Sequence, residues 1–396
     1  MKKFVIILLW FPIMVLAQTK YQTDFDHFLN DFTNHYVYLE SQGIDIEKIR
    51  AYYKAEVAAI KSDNDFIALL EKVTYEFYNG HIMLNTNTED SNRVIPSGSD
   101  IFAVKSGNTY LISDVRVDSP AEKSGIKSGM ELITFNGQNI SEAIKPFLPK
   151  TVTNYTPAMY RYAINMLLAG NRNTPRNIIV YFINSRRQFL PDIYKPTPKT
   201  TLLNVMKDKS GNSYIKINDA LGNTDLIPAF DKALDSLLDS KAITLDLRET
   251  PSGGNTTVAR GIMGRFITKE MPYQVHEYTE MPSGIVRKWV ELASPRGKTY
   301  TGKLIVMVSH WTGSMGEGMA IGFDGMKRGT VVGTRMAGLL GANYSYRLPE
   351  TNIGYSIPGE ILYHINGIPR EDYIPEYLTK NSIETLLKAM ELENEK

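Results

Sequence analysis

Leu304-Ile305-Val306-Met307-Val308, then after a short polar stretch Gly313-Ser314-Met315-Gly316-Glu317-Gly318, then Met319, Ala320, Ile321 and Phe323, reads as a buried strand, a small-residue turn and an apolar helix. A strand feeding a helix through such a turn is the unit from which α/β sheets are assembled. It would place the Ser314 hydroxyl at a helix N-terminus, where free backbone N–H groups and the positive end of the helix dipole favour developing negative charge. The same serine equally suits an N-cap, because its side chain is among the best acceptors for the first helical N–H groups.

A second turn of the same kind lies upstream. Lys241-Ala242-Ile243-Thr244-Leu245-Asp246-Leu247 reads as a short buried strand, and it runs into Arg248-Glu249-Thr250-Pro251-Ser252-Gly253-Gly254-Asn255. Paired glycines after a buried strand let the backbone turn tightly and expose N–H groups, which is what one half of an oxyanion hole needs. Asp246 and Arg248 read as an ion pair beneath the loop. Strand-like runs at 213–217, 242–247, 304–308 and 330–333 alternate with helical runs at 226–238, 257–266 and 316–323, the order of a largely parallel sheet with covering helices.

Outward from this core, residues 23–88 carry apolar residues at helical spacing: Phe25, Phe28, Leu29 and Phe32, then Ile49, Tyr52, Tyr53 and Val57, then Phe66, Leu69, Leu70, Val73 and Phe77. Three amphipathic helices are expected, ending in Tyr78-Asn79-Gly80-His81-Ile82-Met83-Leu84. From the residues alone, His81 begins a strand beside a glycine turn. Between the helices and the α/β core, Leu111-Ile112-Ser113-Asp114-Val115 alternates like a strand. It is followed by Asp118-Ser119-Pro120-Ala121-Glu122-Lys123-Ser124-Gly125-Ile126-Lys127-Ser128-Gly129-Met130. Glu131-Leu132-Ile133-Thr134-Phe135-Asn136-Gly137 then gives a strand and a hairpin, since Asn-Gly supplies the positive φ angles a tight turn demands. Residues 146–173, with Tyr155, Met159, Tyr160, Tyr162 and Met166, read as a helical insertion.

The 396 residues suggest two or three domains. With 44 basic and 43 acidic side chains the chain is nearly neutral, which implies neither nucleic acid nor an anionic membrane surface as partner. The absence of cysteine excludes disulfides, thiolate metal sites, a cysteine nucleophile and a lipidated cysteine. Lys2 and Lys3 precede the apolar stretch 4–16, and Val15-Leu16-Ala17 offers small residues for signal-peptide cleavage. That stretch is shorter than a spanning helix, so cleavage near Ala17 and a periplasmic or secreted location are expected.

Taken together, Asp-Leu-Arg before a Gly-Gly loop, Gly-Ser-x-x-Glu after the next buried strand, and Thr330-Val331-Val332-Gly333 resemble the tricorn and C-terminal processing peptidase family of serine peptidases. The resemblance covers almost the whole chain beyond residue 17. It implies a crotonase-like α/β catalytic core over 196–396 and a helical region over 18–92; separately, the Ser-Pro-Ala turn, short helix and Gly-x-x-x-Gly stretch of 118–130 resemble a PDZ domain, which gives a PDZ-like domain with a helical insertion over 93–195. The peptidase resemblance also implies Ser314, three residues before Glu317, as nucleophile, with oxyanion donors at Gly253 or Gly254 and at Met315. In one branch of the family the base is a lysine about twenty-five residues past the serine; here that count reaches Leu339, and no lysine lies between Lys327 and Lys380. In the tricorn-like branch it is a histidine oriented by a glutamate. That resemblance gives His81 the base and Glu371, in Gly367-Ile368-Pro369-Arg370-Glu371-Asp372, the orienting role, with Asp372 and Glu376 as alternatives.

The expectation is therefore an exported serine endopeptidase acting on protein or peptide substrates, without metal or cofactor. A catalytically silent peptide-binding protein and a hydrolase of non-peptide esters or amides are the competing readings.

Overall fold

The computed structural model describes residues 19–395. The targeting segment expected over residues 1–17 lies outside the described residues. No described helix is long and apolar enough to cross a membrane.

The C-terminal half is built on a six-stranded sheet in which Ser213–Ile217, Ala242–Asp246, Lys303–Val308, Thr330–Gly333 and Tyr377–Leu378 run parallel, with Leu203–Lys207 antiparallel at one edge. Its central strands are buried on both faces, as the continuous apolar runs require. Alternation sorts the side chains of Lys303–Val308. Leu304, Val306 and Val308 join the core under the helices Thr256–Met263 and Met315–Gly325, while Ile305 and Met307 pack with Ala389 and Leu392 of the C-terminal helix Ser382–Asn394. Because Ala242–Asp246 and Lys303–Val308 are parallel neighbours, both glycine-bearing turns leave the same end of the sheet side by side.

The helical block contains Lys20–His35, Ile46–Ala59 and Asp63–Thr74, with a one-turn helix Leu39–Gln42 between the first two. Each long helix opens on a side-chain cap, Thr19, Asp45 or Ser62, and buries its periodic apolar face. That face rests on a sheet the sequence pattern did not reveal: five strands, Met83–Leu84, Gly354–Tyr363, Met271–Glu280, Ile285–Ala293 and Ala342–Arg347. Phe28, Phe32 and Phe77 meet Tyr355 and Ile357 of that sheet in one apolar cluster. The helix after Ser314 also packs on this sheet, where a side chain at Gly322 would reach Tyr273. The sheet therefore links the N-terminal helices to the C-terminal half.

Residues 101–189 form a further six-stranded sheet around the helix Pro157–Ala169, with its own core of Ile101, Ile112, Leu132, Ile164, Leu168 and Val180. Asn136 and Gly137 take φ of 48° and 81°, as the expected hairpin requires. This unit is docked on the C-terminal half through specific contacts. Phe102 stacks on His310 at 3.6 Å, Trp311 Nε1 donates to the Ser99 carbonyl at 2.9 Å, and Arg116 pairs with Glu249 at 3.1 Å.

Candidate active site

Ser314 stands at the end of the turn after Lys303–Val308, directly before the helix Met315–Gly325, with φ 50° and ψ −111°. A side-chain-bearing residue at positive φ is strained, and such strain persists only where the surroundings over-determine it. Here they do. The Ser314 N–H donates to Glu317 Oε2 at 2.8 Å, the Ser314 carbonyl accepts from Gly318 N–H and Arg370, and the side chain remains partly exposed among buried neighbours.

The neighbouring glycine loop presses against it. Gly253 sits at φ 65°, and a Cβ added there would lie 2.5 Å from Ser314 Cβ and 3.0 Å from its Oγ, so only glycine fits. The two loops are also tied backbone to backbone, since Gly313 N–H donates to the Thr250 carbonyl at 3.2 Å. Gly253 N–H donates to the same carbonyl at 3.1 Å, which removes it from the set of free donors. Among the described residues, the N–H groups of Gly254 and Met315 make no protein hydrogen bond. Beneath the loop, Arg248 grips the fully buried Asp246 with Nη2 at 2.7 Å and reaches the Ser382 carbonyl, an ion pair that fixes where the strand ends.

His81 arrives from far away in sequence. Met83 and Leu84 pair with Ser356 and Tyr355, which pins the chain two residues beyond it, and Asn79 Oδ1 accepts the His81 N–H at 3.0 Å. The ring Nδ1 lies 2.9 Å from the Leu340 carbonyl. A carbonyl only accepts, so Nδ1 carries the hydrogen and the lone pair of the neutral ring is on Nε2. Burial, assisted by the positive charge of Arg370, pushes the imidazole pKa down to about 4.

The segment 339–341 lies between the turns that carry His81 and Ser314, and among the described residues no hydrogen bond joins Ser314 Oγ to the imidazole. Side chains added at Gly80 and at Gly313 would both strike Leu339, at 3.2 and 3.3 Å, so one buried leucine fills the space between the histidine turn and the serine turn. Leu339 is the position at which a lysine base would have been counted, and its side chain has no amine to offer. Gly338 N–H donates to Glu317 Oε1 at 2.9 Å, which fastens this segment to the serine helix. Burial drives the Glu317 carboxyl up to about 7 against the pull of Arg370 and its two N–H donors.

Glu371 is half-buried and Asp372 and Glu376 are exposed. The hydrogen bond expected from His81 to Glu371 is not formed among the described residues, where Leu340 takes Nδ1 and Glu371 Oε2 is buried without a partner. Burial raises the Glu371 carboxyl above its usual range. His310, four residues before Ser314, is turned away onto Phe102. Sequence reasoning passed over Arg370, which contacts both halves of the site; an arginine beside the motif glutamate was the available signal. Among the described residues no group of three His, Asp or Glu side chains is arranged to hold a metal ion.

Known protein families match two stretches of the chain. Residues 212–368 match the model of peptidase family S41, and residues 17–74 match that of the tricorn protease C1 domain. The chain is thus a serine-type peptidase whose substrates are proteins or peptides, and it belongs to peptidase family S41, in the tricorn and C-terminal processing group. Among solved structures, mature CPAF superposes with a TM-score of 0.64 at 12% identity, covering 95% of this chain and 95% of that one. The photosystem II D1 C-terminal processing protease gives 0.58 at 14%, covering 92% and 94%. A putative peptidase from Parabacteroides merdae gives 0.55 at 12%, covering 96% and 98%. At these identities the likeness is one of fold. No curated protein sequence matches the chain.

Proposed function

We propose that this chain is an exported endopeptidase in which Ser314 is the nucleophile and His81 the general base. The observation that carries the reading is the strained Ser314 at a strand-to-helix turn, joined through 339–341 to a buried histidine whose free lone pair is on Nε2.

Ser314 Oγ attacks the scissile carbonyl as His81 Nε2 takes its proton. The tetrahedral oxyanion is met by the N–H groups of Gly254 and Met315. His81 then returns the proton to the leaving amine as the C–N bond breaks, and a water deprotonated by His81 releases the acyl group from Ser314. The Leu340 carbonyl fixes the imidazole tautomer in the resting enzyme. Glu371 contributes less, as a nearby carboxylate that stabilises the imidazolium formed in the transition state.

Residues 196–396 serve as a crotonase-like catalytic domain behind the 18–92 helical region. Residues 93–195 serve as a PDZ-like domain that adds a substrate strand to a sheet edge and presents the chain to the site. A fluorophosphonate probe tests the assignment: it attaches to Ser314, labelling is abolished in Ser314→Ala, and that variant loses casein hydrolysis while unfolding cooperatively. Attachment elsewhere, or a hydrolytic Ser314→Ala protein, overturns it.

A further inference from the structure

Arg370 is 3% exposed and meets three backbone carbonyls. Nη1 donates to Ser314 O at 3.3 Å, and Nη2 donates to Leu339 O and Gly341 O at 2.9 Å each. Nη2 also stands 3.9 Å from Glu317 Oε2. Two of those carbonyls flank Leu340, whose own carbonyl holds His81; the third belongs to the serine. Glu317 bridges the same two regions through the Ser314 and Gly338 N–H groups, while Arg370 holds their carbonyls.

We propose that Arg370 is the positioning residue that sets Ser314 and His81 in register with one another, an inference that rests on the Ser314–His81 reading. A planar guanidinium presents several donors at fixed separations, so it holds carbonyls from two chain segments in one geometry; an ammonium on a flexible stem does so poorly. Misplacing reacting groups by about 1 Å costs on the order of a hundredfold in rate, and a residue that fixes their separation acts on turnover rather than on substrate affinity. Its charge has a second effect. Arg370 acts with burial to keep the imidazole neutral, while the other ionisable groups packed around the cluster are Glu317 on the serine helix, Glu371 on the adjacent turn, and Tyr36 and Tyr38 from the helical region.

The test uses Arg370→Met and Arg370→Lys in the full chain, with a short peptide substrate, a fluorophosphonate probe and a thermal melt. Arg370→Met is expected to lose roughly 100-fold to 1,000-fold in kcat with KM within about threefold, and to phosphonylate Ser314 more slowly by a similar factor. Its acid limb of kcat/KM moves to higher pH, because a cation facing His81 is gone. Arg370→Lys keeps the charge, leaves the acid limb in place and regains about tenfold of the lost turnover. A folded Arg370→Met protein with wild-type kcat overturns the proposal. So does a raised KM at unchanged kcat, which would make Arg370 a substrate ligand, and so does loss of cooperative unfolding in both variants, which would make it purely structural. If instead Ser314→Ala stays active or the probe attaches elsewhere, the nucleophile assignment fails whatever the Arg370 variants do.

Discussion

His81 and His310 are buried to a similar degree, and burial depresses both imidazoles, to about 4 and about 3, each with an arginine adding to the effect. Their surroundings differ. His310 lies four residues from Ser314 and spends its ring face on Phe102, as part of the contact that docks the 101–189 sheet. His81 lies more than two hundred residues from Ser314 in sequence, yet a strand pair and a carbonyl aim it at the segment that touches the serine turn. Closeness along the chain is no guide to reach, because a residue on the strand side of a turn points into the sheet's packing while the turn points away from it.

The sharpest way to break this comparison is to remove each ring in turn. His81→Ala and Ser314→Ala are each expected to lower kcat by about 10⁴-fold or more, since members of a catalytic unit fail together, whereas His310→Phe keeps the stack and retains activity within about threefold. A dead His310→Phe protein beside an active His81→Ala protein, assayed on the same peptide, would invert the roles.

A second contrast is read from pH. A base with a pKa near 4 stays neutral well below the ordinary histidine value of about 6.5, so the acid limb of kcat/KM is expected below pH 5, a displacement of about two units. A limb at pH 6.5 would mean that His81 is exposed to solvent in the working enzyme.

The third contrast concerns stability. His310 titrates near 3 in the folded chain and near 6.5 unfolded, so the unfolded state binds more protons in between and stability falls as pH drops through 6.5. His310→Phe removes this loss and is expected to gain up to about 2 kcal/mol on the parent between pH 7 and pH 5, measured by denaturant unfolding at both values. Glu317 and Asp114, whose carboxyls burial raises to about 7 and about 6, contribute with the opposite sign in parent and variant alike, so the difference isolates His310. The smallest effect is expected for Glu371→Gln, roughly tenfold in kcat, because Leu340 already holds Nδ1. A loss as large as that of His81→Ala would restore Glu371 as the orienting group.

How much of this was legible follows from which residues carried a pattern. The parallel strands read as unbroken apolar runs because both their faces are covered, and the helical block read from its 3.6-residue spacing. The linking sheet was invisible. In Met271–Glu280 apolar residues alternate irregularly with Gln274, His276 and Glu277, since one face meets the serine helix while His276 Nδ1 pairs with Glu360 at 2.6 Å. A strand that buries a satisfied polar pair has no clean period.

The sequence by itself determined the strand–turn–helix unit around Ser314, the glycine loop beside it and the lack of a lysine at Leu339, because each is a local choice of residue type against backbone geometry. The tertiary structure decided the rest: that Leu340 rather than Glu371 holds His81, that Gly253 N–H is already spent on Thr250, and that Arg370 ties the two halves. Those are contacts to backbone carbonyls, which every residue carries, so no side-chain pattern announces them and only the folded chain shows which carbonyl lies within reach.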